Sequence, residues 1–104
     1  MDSRPIGVFD SGVGGLTVLK ALERALPHES FVYLGDTARV PYGPKSPETV
    51  IRYGLEAARF LRKQDVKALV VACNTVSSVA IAEVAGEARV PVNGVILPGA
   101  RRAV

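Results

Sequence analysis

A single cysteine, a single histidine and no tryptophan leave this 104-residue chain few of the side chains from which catalytic and metal sites are usually built. One cysteine excludes an internal disulfide and any zinc site made of several cysteines. No apolar run approaches the roughly 18 residues of a membrane span, and no charged and apolar leader precedes Arg4. Neither a membrane nor secretion is therefore expected. Aromatic residues make up 6% of the chain, and the net charge of +3 is spread over scattered lysines and arginines. That pattern argues against nucleic acid as a partner. There is no Walker-type Gly-Lys-Ser/Thr, no internal repeat and no low-complexity linker.

With 48% hydrophobic and 22% charged residues, the composition is that of one soluble α/β domain. A chain this short buries only about two thirds of its unfolded surface, so a second domain or subunit would add to its stability. The stretch Ala68-Leu-Val-Val-Ala-Cys-Asn-Thr75 organises the rest. Its unbroken small and branched apolar residues predict a strand from Val66 to Cys73, buried on both faces as in a parallel sheet. Thr75 to Ala88 reads as the helix that follows. Cys73 then lies near a helix N-terminus, where amide dipoles favour a thiolate. A lone cysteine after an apolar run is also what a small core residue looks like.

The remaining elements follow the same alternation. Ile6 to Phe9 is a strand ending in Asp10-Ser-Gly-Val-Gly-Gly15, and Leu16, Leu19, Leu22 and Leu26 mark a helix that Pro27 ends. Phe31 to Leu34 is the second strand, stopped by Gly35-Asp36. The connection from Asp36 to Ser46 carries Pro41, Tyr42, Gly43 and Pro44 and is longer than an ordinary βα loop, which favours function over a plain turn. Ser46 caps the next helix with Pro47 at its first position, and Ile51, Leu55, Ala58 and Leu61 form its predicted buried face. Pro91 to Leu97 is a fourth strand. Pro98 to Val104 opens another helix without a cap, so the chain is expected to be part of a longer protein.

This alternation predicts a three-layer α/β/α fold with a four-stranded parallel sheet in the order 2-1-3-4, residues 1–104 forming one domain. Ligands of such sheets sit outside the carboxyl ends of the strands. Asp10-Ser11, the Asp36–Ser46 loop and Cys73-Asn-Thr75 converge there, whereas His28 and Gln64-Asp65 lie in turns at the opposite end. A Cys–His hydrolase pair is thereby excluded. Gly12-x-Gly14-Gly15 partly matches a dinucleotide fingerprint, with Asp36 where a ribose-binding acid would fall. Thr17 replaces the third glycine and argues against a nucleotide cofactor. The glycines form either a plain turn or an anion-binding nest suited to a carboxylate. Tyr42 is either a loop anchor or part of a rigid loop offering backbone amides. Asp10, Asp36 and Cys73 are a mixed set without paired ligands, so no metal is expected.

Asp10-Ser-Gly-Val-Gly-Gly15, Pro41-Tyr-Gly43 and Ala72-Cys-Asn-Thr75, in this order and each at a strand's carboxyl end, closely resemble the glutamate racemases. The resemblance runs from Ile6 to about Ala100 and covers the first of that family's two similar lobes. The second lobe carries a second cysteine in a Gly-Cys-Thr-His motif, which has no match here. The resemblance implies a cofactor-independent interconversion of L- and D-glutamate by two thiols on opposite faces of the α-carbon. Cys73 is then the base toward D-glutamate and Asp10 assists at the amino group and thiol. Ser11, the Pro41-Tyr42-Gly43 segment, Asn74 and Thr75 hold the two carboxylates of the substrate. It further implies a cytoplasmic bacterial homodimer that supplies D-glutamate for peptidoglycan, and it implies that this lobe alone is inactive. An aspartate or hydantoin racemase is the nearest alternative. A noncatalytic amino-acid-binding or oligomerisation module is the alternative from another class.

Overall fold

The computed structural model describes residues 2–11, 15–36 and 45–95 of the chain. Strands and helices run in the order β1 (Ile6–Asp10), α1 (Gly15–Ala25), β2 (Phe31–Gly35), α2 (Pro47–Lys63), β3 (Ala68–Val71), α3 (Asn74–Val79), α4 (Ile81–Ala88) and β4 (Val92–Gly94). The four strands pair in parallel in the order β2-β1-β3-β4. This is the predicted order. The step from β1 to β2 runs one way across the sheet and that from β2 to β3 the other, so right-handed connections put α1 and α2 on opposite faces.

Alternation along the strands sorts the side chains between those faces. Phe9, Leu69 and Val71 join Val50, Ala57, Ala58 and Leu61 of α2, Val76 of α3, Val84 of α4 and Ala80 between them in one buried apolar cluster. Truncating a side chain such as Leu61 in it would cost about 2–5 kcal/mol. Val8, Asp10, Tyr33 and Val70 occupy the other face, opposite α1. Ala68 and Val70 are only half-buried there, so β3 is not covered equally on both faces as its unbroken apolar run predicts. Leu16 and Leu26 of the apolar stripe around α1 are 56% and 40% exposed.

Local chemistry explains the ends of the elements. Ser46 has φ −66° and ψ 155°, and its hydroxyl accepts the Thr49 amide at 3.2 Å, with Pro47 following in the first turn of α2. The predicted cap is thus present. The buried face of α2 is Val50, Gly54, Ala57, Ala58 and Leu61, while Ile51 and Leu55 are half-buried at its flanks. The stripe is rotated from the predicted one because Gly54 faces the core. Space there is tight enough that a β-carbon on Gly54 would stand 2.9 Å from Val84 Cγ2.

The single helix predicted from Thr75 to Ala88 is instead two. The chain breaks at Ala80 (φ −131°, ψ 13°), between α3 and α4. Val76, Ser77, Ser78 and Val79 are weak helix formers, and the break lets Val76, Ala80 and Val84 close over Gly54. At the fourth strand, regular pairing covers Val92–Gly94, flanked by the Leu69 amide on the Pro91 carbonyl at 2.9 Å and the Val95 amide on the Val71 carbonyl at 2.8 Å. Ile96, Leu97 and the predicted helix 98–104 lie outside the described residues.

Candidate active site

Asp10 ends β1, and Cys73 follows β3 by two residues. The two strands are hydrogen-bonded neighbours with Phe9 opposite Val71, and the Ala72 amide extends the ladder by donating to the Phe9 carbonyl at 2.7 Å. Asp10 and Cys73 therefore leave the sheet side by side at its carboxyl edge. Ser11 continues from Asp10, and Asn74 and Thr75 open α3 directly after Cys73. Five of the eight predicted site residues are gathered in this way. Pro41, Tyr42 and Gly43 lie outside the described residues, as do Gly12, Val13 and Gly14. His28 stands exposed in the turn between α1 and β2, at the opposite end of the sheet.

Asp10 is a charged side chain in a buried place, 1% exposed. Burying a carboxylate is costly unless it is hydrogen-bonded. Here the Tyr33 hydroxyl donates to Asp10 Oδ2 at 2.7 Å. In the parallel register Asp10 lies opposite Gly35 and Val8 opposite Tyr33, so the phenol reaches diagonally forward across Gly35 on the same face. A β-carbon on Gly35 would stand 2.8 Å from the Tyr33 oxygen and 3.2 Å from Cε2 and Cζ of the ring. Burial first, then the carboxylate that accepts its hydrogen bond, pushes the Tyr33 phenol from 10.0 up to about 12. Tyr33 escapes notice in the sequence, where a tyrosine in a strand reads as an ordinary β-former. A Tyr-x-Gly at the end of a strand beside one ending in Asp is the signal that could have found it.

Cys73 is 4% exposed and belongs to the same apolar cluster as Phe9, Val71 and Val76. It is also the residue that caps α3, with extended backbone angles (φ −122°, ψ 117°) and no side-chain capping bond. Cys73 thus stands both at the start of a helix and in the apolar core, the two placements the sequence offered. Because α3 has six residues, the amides nearest the sulfur belong to a short helix and not to the fourteen-residue one read from the sequence. Asn74 and Thr75 are half-buried in its first turn, where backbone N–H groups lack partners within the helix. A cavity of about 210 Å³ lined by Phe9, Leu34, Asp36 and Phe60 lies instead toward the edge strand β2, on the α2 side of the sheet.

No protein-family model matches the chain. Over 103 residues it is 62% identical to the glutamate racemase of Geobacter metallireducens, a match that takes in 99% of this chain and 38% of that protein. The solved structure of glutamate racemase from Aquifex pyrophilus superposes with a TM-score of 0.86 at 56% identity, over 96% of this chain and 40% of that one. The chain is homologous to the glutamate racemases. Another glutamate racemase, from Francisella tularensis and solved in complex with D-glutamate, matches at 49% identity with a TM-score of 0.86, over 90% of this chain and 36% of that one. This chain therefore spans about 38% of the length of the curated racemases it matches. Both the sheet and its helices are shared with the solved racemases.

Proposed function

We propose that the chain is the first lobe of a two-lobed glutamate racemase that interconverts L- and D-glutamate without a cofactor. The observation that carries this reading is the placement of Asp10 and Cys73 at the ends of neighbouring strands, in a chain homologous to racemases. The α-proton of glutamate is a very weak acid, and inversion requires its removal from one face and return to the other. Cys73, as a thiolate, takes the proton from D-glutamate and becomes a thiol. A second thiol from the other lobe returns a proton to the opposite face and is left as a thiolate.

Asp10 assists at the amino group and at the sulfur. Ser11, Asn74 and Thr75, with the Pro41-Tyr42-Gly43 segment, supply hydroxyl, amide and backbone donors to the two carboxylates, and those donors stabilise charge that develops as the proton leaves. Glutamate is the ligand this reading shares with the Francisella tularensis enzyme, whose structure holds D-glutamate. The product serves peptidoglycan synthesis in a bacterial cytoplasm, and the two-lobed protein is a homodimer. Among the described residues no helix is long and apolar enough to cross a membrane.

The test is racemisation of each glutamate enantiomer in heavy water by the two-lobed protein that carries this lobe. Deuterium is expected at Cα of the product. Cys73→Ala is expected to stop turnover in both directions while glutamate still binds, because the carboxylate contacts belong to other residues. Undiminished racemisation by Cys73→Ala would overturn the two-thiol mechanism, and faster turnover of aspartate than of glutamate would overturn the substrate.

A further inference from the structure

We propose that Tyr33 is a positioning residue for Asp10 in this reaction, and that position 35 is glycine so that the Tyr33 ring can lie across it. The inference rests on the racemase reading above, in which Asp10 works beside Cys73. Its own support is geometric. The Tyr33 hydroxyl donates to Asp10 Oδ2 at 2.7 Å, inside a face of the sheet where Asp10 is 1% exposed. A carboxylate turns easily about its last torsion, which is broad and roughly two-fold. A short hydrogen bond to one of its oxygens fixes the plane of the carboxylate, and with it the direction in which that group meets the substrate and the sulfur.

Gly35 supplies the second, independent piece of geometry. It lies in a regular strand and its φ falls outside the left-handed region, so the backbone does not demand glycine. The ring does. An added β-carbon would stand 2.8 Å from the phenol oxygen and 3.2 Å from two ring carbons. These atoms belong to a rigid aromatic group already tied at its far end, so Tyr33 can make room only by leaving Asp10. Tyr33 and Gly35 thus form one device, in which the first holds the carboxylate and the second leaves it the path.

The experiment is a double-mutant cycle in the two-lobed protein, measuring kcat and KM for D-glutamate. Tyr33→Phe keeps the ring and removes only the hydroxyl, and it is expected to lower kcat about ten- to a hundred-fold, the usual worth of a hydrogen bond to a charged group. KM is expected to change by much less, on the order of two-fold or under, since the residues assigned to the carboxylates are untouched. Gly35→Ala is expected to lower kcat similarly by displacing the phenol. In the Tyr33→Phe background, where the bond from the phenol to Asp10 is already gone, Gly35→Ala is expected to add little.

Wild-type kcat in Tyr33→Phe would overturn the proposal. So would fully independent, multiplying effects of the two substitutions, or a Tyr33→Phe loss seen only as a lower melting temperature. If the unsubstituted protein fails to racemise glutamate at all, the racemase reading itself is wrong and the positioning role falls with it. That outcome is separate from an active parent indifferent to Tyr33.

Discussion

Gly54 of α2 and Val84 of α4 meet with no room for another carbon between them. A β-carbon at position 54 would lie 2.9 Å from Val84 Cγ2 and 3.5 Å from Val76 Cγ1. Alanine is the better helix former by about 1 kcal/mol. Overpacking a stiff, buried valine costs about 1–3 kcal/mol. Gly54→Ala is therefore expected to lower stability by about 1 kcal/mol, measured by urea unfolding. A rise in the unfolding midpoint would show that α4 yields easily and that its packing on α2 is loose.

Cys73 lies in an apolar cluster, and this separates two effects of replacing it. Cys73→Ser puts a hydroxyl where a thiol is buried and is expected to cost about 1–3 kcal/mol of stability, more than Cys73→Ala does. Both are expected to lack racemase activity in the two-lobed protein, since neither supplies a thiolate. Thermal melts of the two variants decide the first point. A serine variant as stable as the wild type would mean that water reaches the site of the sulfur.

The hydroxyl of Ser46 accepts the Thr49 amide at the start of α2. Ser46→Ala is expected to lower stability by roughly 1 kcal/mol through loss of that cap. Its Asp variant is expected to keep it. Equal midpoints for Ser46→Ala and the wild type would show that Pro47 alone suffices to start the helix.

A phenol that ionises less readily in the folded chain than in the unfolded one stabilises the fold for as long as it keeps its proton. For Tyr33 the stabilisation is complete below 10.0 and is lost as the pH rises from there toward about 12. Tyr33→Phe is expected to lose less stability across that interval than the wild type, since the other groups that titrate there are common to both. Denaturant midpoints at a series of alkaline pH values make the comparison, and parallel curves would contradict it.

Strand order was legible in the sequence because handedness and the run of apolar segments leave few ways to wind four strands. The cap at Ser46-Pro47 was legible for a local reason, a hydroxyl and a fixed φ at the right spacing. What escaped was contact across elements. Gly54 belongs to the core by having no side chain, so a search for apolar side chains finds Ala58 and Leu61 but takes Ile51 and Leu55 where Val50 and Gly54 are buried. No proline or glycine marks the break at Ala80, which follows from packing on α2. In the site, Asp10 and Cys73 could be placed together because each lies at the carboxyl end of one of two neighbouring strands. Tyr33 could not be joined to Asp10 without the register that puts Asp10 opposite Gly35.

That register also bears on how the lobe assembles in time. β1 and β2 are joined by one short helix and can pair early, but Phe9 meets Val71 only after about 60 intervening residues have been drawn in. Contacts of such sequence separation form late and slowly. Asp10 ends the first of those strands and Cys73 follows the second by two residues, so their meeting is expected to wait for this last closure. Refolding followed by thiol protection at Cys73 and by backbone signals from β2 would show it, with protection lagging behind the strand. A newly made chain would then spend its early life with an open, reactive sulfur, and the fold would hide it as the final act of becoming competent.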